Sequence, residues 1–267
     1  MYSGIHFGLK KKVFLLSFDV DYERDVKALK TVLRSLKKLS IDANFAVVGK
    51  HVEKFPKEHK AIVLEGHEIV NHTYAHPRNK ELCPDKDYAY ISESKKIQEI
   101  TECHEAVEKI LGIKMKGFRL PHFGNIQDID YEWLFANLYA LNYEYDSSVL
   151  FPIYKRRFKA FFNNKKIIEI PISTCFKHPF TALDSYHIYR SNRLIYKIMH
   201  INTDWYLLLE KALDSAYNVE MAANIYLDPY DYVANIDIFE KSLLLLKKNH
   251  NPIFLTYSKY ITMTKGG

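Results

Sequence analysis

Cysteine is scarce in this sequence. The three that occur, Cys83, Cys103 and Cys175, are odd in number and have no Cys-x-x-Cys spacing, which excludes a disulfide framework and a four-cysteine zinc site. Long hydrophobic runs are missing too: the apolar stretches at residues 13–18 and 243–246 are core-sized, well short of the roughly 18–20 residues of a membrane helix. The opening MYSGIHFGLKKK has no hydrophobic signal segment, and the apolar run behind its lysines ends in Asp19 and Asp21; a cytoplasmic protein is expected. Glycine and proline stand at nine each, with no low-complexity linker and no internal repeat to divide the chain. Nor does one sign of charge dominate. Lys+Arg number 38 against 32 Asp+Glu, and the basic clusters at 10–12, 37–38, 155–157, 165–166 and 247–248 are scattered. They form no stripe of the kind a nucleic acid needs, so no nucleic-acid partner is expected.

What is present is an ordinary globular composition over 267 residues, 48% apolar and 26% charged, read as one domain spanning 1–267. Twenty tyrosines suit either a large core or a sugar-binding groove. Strand and helix patterns alternate. Buried-strand runs at 12–21, 44–49, 68–72, 115–119 and 143–149 are separated by helical periodicities at 23–39, 91–111 and 131–141. The second half is less regular, with strands expected at 167–172, 221–227 and 252–257 and helices at 206–217 and 238–248. Such alternation implies an α/β fold with parallel strands. About seven or eight units in this length make a distorted (β/α) barrel the economical architecture, its site at the carboxyl ends of the strands.

Polar residues gather at those ends. Asp19 and Asp21, in SFDVDYE, are two apart and project to one side of a strand, although an acid just before a helix also serves as a cap. His72 and His76, in GHEIVNHTYAH, would share one face of a helix, within reach of one metal ion. Two histidines plus a carboxylate leave positions open for water and substrate. Short His-x3-His pairs often arise by accident, and the neighbouring His67 reads as structural. Arg119, in GFRLPHFG, needs a carboxylate partner if buried, and Asp19 is the natural one. Asp146, in YDSSVLFP, adds an acid at the fifth strand end.

This ordered set resembles the polysaccharide deacetylase family, the NodB-homology domain of carbohydrate esterase family 4. The matching pieces are those four segments together with IIEIPIS at 167–173 and IYLDPYDY at 225–232. The resemblance implies a distorted barrel, usually of seven strands. It also implies a hydrolase that removes an N-acetyl group from a sugar of a glycan, glycolipid or sugar conjugate, using one divalent ion, most often Zn²⁺. Asp19 resembles the family's general base, and His72 and His76 its metal ligands. Asp21 takes the third ligand place, since Val20 stands immediately after the base. Arg119 resembles the residue that orients the base, and Asp146 the acid supporting the far side. One position departs from the pattern. The family's late histidine, its catalytic acid, has no imidazole here: the comparable places read Asp228 and Tyr257. His122, Asp228 and Tyr257 are therefore the candidate acids, and His122 is favoured because an imidazole pKa near ~6.5 suits proton transfer at neutral pH. Rival readings are a hydrolase of small non-sugar amides and a sugar-binding protein that kept the metal site without catalysis. The expected partner is an N-acetylated sugar; no transmembrane segment is expected, and a peripheral contact with the inner membrane face is compatible with a lipid-linked substrate.

Overall fold

A computed structural model describes residues 11–84, 87–123, 129–150, 167–191, 194–199 and 204–265. The first half runs β1 (Val13–Val20), α1 (Glu23–Leu39), β2 (Ala43–Val47), α2 (Gly49–Lys54), α3 (Pro56–Leu64), β3 (Glu68–Asn71), α4 (Glu93–Leu111), β4 (Gly117–Phe118), α5 (Tyr131–Ala140) and β5 (Tyr145–Asp146). Then come β6 (Ile168–Glu169), an antiparallel hairpin of β7 (Thr174–Cys175) and β8 (His178–Ala182), and the helices α6 (Leu194–Met199) and α7 (Trp205–Tyr217). β9 (Ala223–Leu227), α8 (Pro229–Ala234), α9 (Ile236–His250), β10 (Ile253–Phe254) and α10 (Tyr257–Lys265) complete the chain.

β1 shows why the strands form a sheet covered on both faces. All eight of its residues are buried, which suits a parallel strand between two apolar layers. Phe14, Leu16, Phe18 and Val20 join the main core with Val26, Leu29, Leu33 and Leu36 of α1. Val13 and Leu15 face the other way, into a second cluster with Ala46, Val70, Tyr145 and Ile170. α1 starts with Asp25 Oδ2 accepting the Tyr22 backbone N–H at 3.0 Å and stops at Ser40, whose φ of 51° is left-handed. Each fully buried leucine on its inner stripe contributes about 1.5–3 kcal/mol.

β1 pairs in parallel with β2, with β9 and, through Val13 and Phe14, with β10; from β2 the order continues β3, β4, β5, β6. The sheet curls until the segment after β6 meets β9. There the Ser173 N–H donates to the Asn224 carbonyl at 2.7 Å and the Asn224 N–H to Ser173 Oγ at 3.1 Å. The distorted α/β barrel expected from the alternation is what the chain forms, and strands from both halves share one sheet. Gly117 allows one close approach: a Cβ there would lie 1.9 Å from the Tyr145 ring.

Differences lie mostly at element ends. Residues 115–119 and 143–149 contribute only the two-residue strands β4 and β5. The strand expected at 252–257 stops at Phe254, and α10 begins at Tyr257. That helix sends Tyr257, Tyr260 and Ile261 into the cluster containing Val13 and Leu15, so it fills the barrel interior toward the start of β1.

Candidate active site

Asp19 owes its position to strand alternation. Leu15 faces the barrel interior, so Ser17 and Asp19 face it too, one layer apart. Arg119 follows β4 directly and reaches both: Nη1 donates to Asp19 Oδ1 at 2.6 Å and to Ser17 Oγ at 2.9 Å. Its Nε donates to the Ser147 carbonyl at 3.2 Å, and Nη2 to Ser147 Oγ at 3.2 Å and to the Tyr257 hydroxyl. The guanidinium is wholly buried, and although burial works against its charge, Tyr257 and Asp19 hold its pKa above the ordinary value. Burial also raises Asp19, against the pull of Arg119 and His72. A carboxylate held in one orientation with a raised pKa suits general-base work.

Asp21 lies just past β1 and is placed through its backbone. Its carbonyl accepts Asn79 Nδ2 at 2.6 Å and His51 Nε2 at 3.0 Å. Its carboxylate faces two imidazoles: Oδ1 is 3.3 Å from His72 Nε2 and 3.4 Å from His76 Nε2. The histidines meet there without a helix. Residues 72–76 form a tight turn with left-handed φ at Thr73 (68°) and His76 (50°). Thr73 Oγ1 accepts the His76 N–H at 3.1 Å, and Glu99 Oε2 of α4 accepts the Ala75 N–H at 2.7 Å. The helical placement expected for the pair is thus corrected: the cluster is built by a turn folded onto α4.

The donor set fits a metal ion. One ligand atom each from Asp21, His72 and His76 lies within 4.8 Å of the others, and this is the one such group among the described residues. Asp21 Oδ1 and both ring nitrogens of His76 are buried and make no hydrogen bond, an arrangement that is costly unless something else satisfies them. His72 Nδ1 lies 2.8 Å from the Arg119 carbonyl. A carbonyl only accepts, so Nδ1 carries the proton and Nε2 is left free as a ligand. Although burial opposes charge on both, the two imidazoles hold Asp21 well below the usual carboxylate range, and Asp21 and Asp19 raise His72.

The other expected site residues are placed differently. His122 sits at the exposed rim with left-handed φ (59°), its ring edge-on to His76 at 4.7 Å. Lost solvation where it packs, followed by His76 itself, lowers its pKa to about 4, so the imidazole is uncharged at neutral pH. Tyr257 lies beneath Arg119, its hydroxyl donating to Asn224 Oδ1 at 2.9 Å. Asp146 is not brought to the cluster. The register pairs it with Phe118, whose ring packs toward Tyr88 in the helix-side core. Its Oδ1 accepts Ser148 Oγ at 2.7 Å, and its carboxyl shares that layer with Glu169. Asp228, at the end of β9, faces Arg190. His51, Asn79, Glu99, Ser147 and Asn224 were not singled out from the sequence. Each acts through one hydrogen bond across a distant loop, and a lone polar residue carries no spacing signal.

Fold and site together define an α/β barrel with a candidate metal centre at the carboxyl ends of its strands. The polysaccharide deacetylase family model matches residues 8–132, a little under half of the chain. It is 31% identical over 109 residues to a peptidoglycan-N-acetylglucosamine deacetylase of Bacillus cereus, covering 41% of this chain and 36% of that protein. Identity to a peptidoglycan-N-acetylmuramic acid deacetylase of Bacillus subtilis is 30% over 118 residues, covering 44% of this chain and 23% of the relative. The aligned region thus spans about a third or less of these relatives. Among solved structures, one assigned to the polysaccharide deacetylases from Mycobacterium smegmatis superposes with a TM-score of 0.73 at 16% identity, covering 96% of this chain and 91% of that one. A family 4 carbohydrate esterase from Bacillus anthracis gives 0.55 at 17% identity, covering 95% and 84%. At such identities the likeness is one of fold.

Proposed function

We propose that this protein is a metal-dependent carbohydrate deacetylase that hydrolyses the N-acetyl group of an amino sugar in a glycan or glycan precursor. The observation that carries this reading is the juxtaposition of two units: an Asp–His–His cluster with unsatisfied ligand atoms, and beside it a buried carboxylate held by an arginine. Asp19 Oδ2 lies 4.0 Å from His72 Nε2, so base and ligand cluster adjoin. The peptidoglycan deacetylases among the relatives support an acetylated amino sugar as substrate.

Asp21, His72 and His76 would hold the ion, and zinc suits two imidazoles and one carboxylate. When bound, a divalent ion supplies Lewis-acid activation of water and of the acetyl carbonyl. Asp19 accepts the proton of the attacking water, which is why it stands next to the ligands without being one of them. Arg119 keeps the Asp19 carboxylate turned toward the mouth, with Ser147 and Tyr257 fixing the guanidinium from behind. Asn79 and His51 hold the backbone of Asp21 so that its carboxylate meets both imidazoles.

The test is a substrate panel of chitooligosaccharides, N-acetylglucosamine conjugates and small non-sugar amides, assayed for free amine. Turnover of the sugar substrates, abolished in Asp19→Asn, is the expected result. Turnover confined to the small amides, or none with metal bound, would replace this reading by one of the rival ones.

A further inference from the structure

Hydrolysis of an amide needs a proton at the departing nitrogen, and β9 holds a group positioned to give it. The register of β1 against β9 sets Ser17 opposite Tyr226 and Phe18 opposite Leu227; Asp19 and Asp228 are the residues that directly follow this last pair. Asn224 and Tyr226 project into the barrel, where Asn224 meets Tyr257 and the Tyr226 ring centroid lies 5.8 Å from Arg119 Cζ. Asp228 keeps extended backbone angles (φ −80°, ψ 133°), so alternation carries its side chain to the mouth that Asp19 faces. It is only 6% exposed. Arg190 Nη1 lies 3.2 Å from its Oδ2, and Arg190 Nε donates in turn to Asp231 Oδ1 at 2.7 Å.

We propose that Asp228 is the proton donor to the leaving amine and that Arg190 is its positioning residue, an inference that rests on the deacetylase reading of the site. In this step the Asp228 O–H breaks as an N–H bond forms on the leaving nitrogen. The C–N bond of the tetrahedral carbon breaks with its electron pair going to nitrogen, and the acetyl carbon departs as acetic acid. Arg190 stabilises the carboxylate that remains. Exchange with solvent returns a proton to Asp228 and removes one from Asp19, so one water is consumed and nothing is oxidised or reduced. The charged groups facing Asp228 suit a group protonated before the step. Burial, then Asp25 and Asp21, raise its pKa well above the carboxylate range against Arg190, with Asp231 adding to the rise. Asp25 is the weaker candidate for the role, because its carboxylate oxygens accept the Tyr22 and Tyr230 backbone N–H groups at 3.0 and 3.2 Å.

The experiment compares two probes on the metal-loaded full chain: chitopentaose, whose leaving amine needs a proton, and 4-nitrophenyl acetate, whose leaving phenolate does not. Asp228→Asn should lose on the order of 10²–10⁴-fold in kcat on chitopentaose and far less on the aryl ester. Asp228→Ser, which places a residue well tolerated at a helix N-cap position, should show the same split if the Asn variant folds poorly. Arg190→Gln should lower kcat on chitopentaose with little change in KM, and Arg190→Lys should recover most of it. Equal losses on both probes, or undiminished chitopentaose turnover in Asp228→Asn, would overturn the donor assignment while Asp19→Asn still tests the deacetylase reading. A wild-type protein inactive on both probes would overturn the two together.

Discussion

Arg119 joins two strands and a helix through one side chain. It binds Ser17 and Asp19 from β1, Ser147 after β5 and Tyr257 of α10. Removing it leaves Asp19 buried without its cation, so Arg119→Ala should destabilise the fold by about 3–5 kcal/mol, measured by denaturant unfolding. Asp19→Asn changes proton acceptance at nearly constant volume. It should remove turnover by at least about 10²-fold while metal content, read by elemental analysis, stays at the wild-type level. If Asp19→Asn stripped the metal and Asp21→Asn did not, the two acids would exchange roles. At this scale the sequence was informative where residue types are chemically distinctive. Asp19, Asp21, His72, His76 and Arg119 come together as their motifs suggest. Asp146 does not, because a two-residue strand in register with Phe118 turns its side chain to the helix layer. That outcome depends on strand parity, which a segment with such short pairing does not display.

Among the elements, the turn at residues 72–76 departs most from what its spacing suggests. An i, i+4 histidine pair fits a helix, yet here two left-handed residues and a Glu99 contact do the work. The sequence does not show this, since Thr73 is β-branched and such residues rarely take positive φ. Glu99 reaches the turn from α4 with 1% exposure, so it acts as a support behind the ligands. Glu99→Ala should lower metal affinity by about 10–100-fold, measured by competition with a chromophoric chelator, while circular dichroism stays native-like. Unchanged affinity would show that the turn holds itself. α1 makes the contrasting case: its periodic stripe predicts the helix at its observed bounds, 23–39, because packing and propensity agree over five turns. Leu29, fully buried on that stripe, should cost about 2–5 kcal/mol on Leu29→Ala, read by the same unfolding assay.

For the whole molecule, the alternation of strands and helices made the parallel barrel legible, whereas its closure was not. Closure depends on Ser173 meeting Asn224, 51 residues away, and on α10 filling the interior, neither of which has a local pattern. A buried pair in the helix layer also gives the molecule a pH dependence. Burial raises Asp146 to about 6, and burial together with Asp146 raises Glu169 well above its ordinary value. A raised folded-state pKa means the folded state binds more protons than the unfolded one. The pair's contribution is therefore full below the ordinary carboxylate values and is lost as pH rises through about 6 and beyond. Glu169→Gln should accordingly raise Tm more at pH 8 than at pH 5, and a pH-independent difference would refute the linkage. The central claim, that Asp21, His72 and His76 form a catalytic metal centre for sugar deacetylation, is tested most directly by acetate release from chitopentaose. The protein is first stripped with chelator and then titrated with zinc. Activity should vanish on stripping and return to saturation at about one equivalent of zinc per chain, but not in the His72→Ala/His76→Ala variant; full acetate release by the stripped protein, or zinc-restored release by that variant, would contradict it.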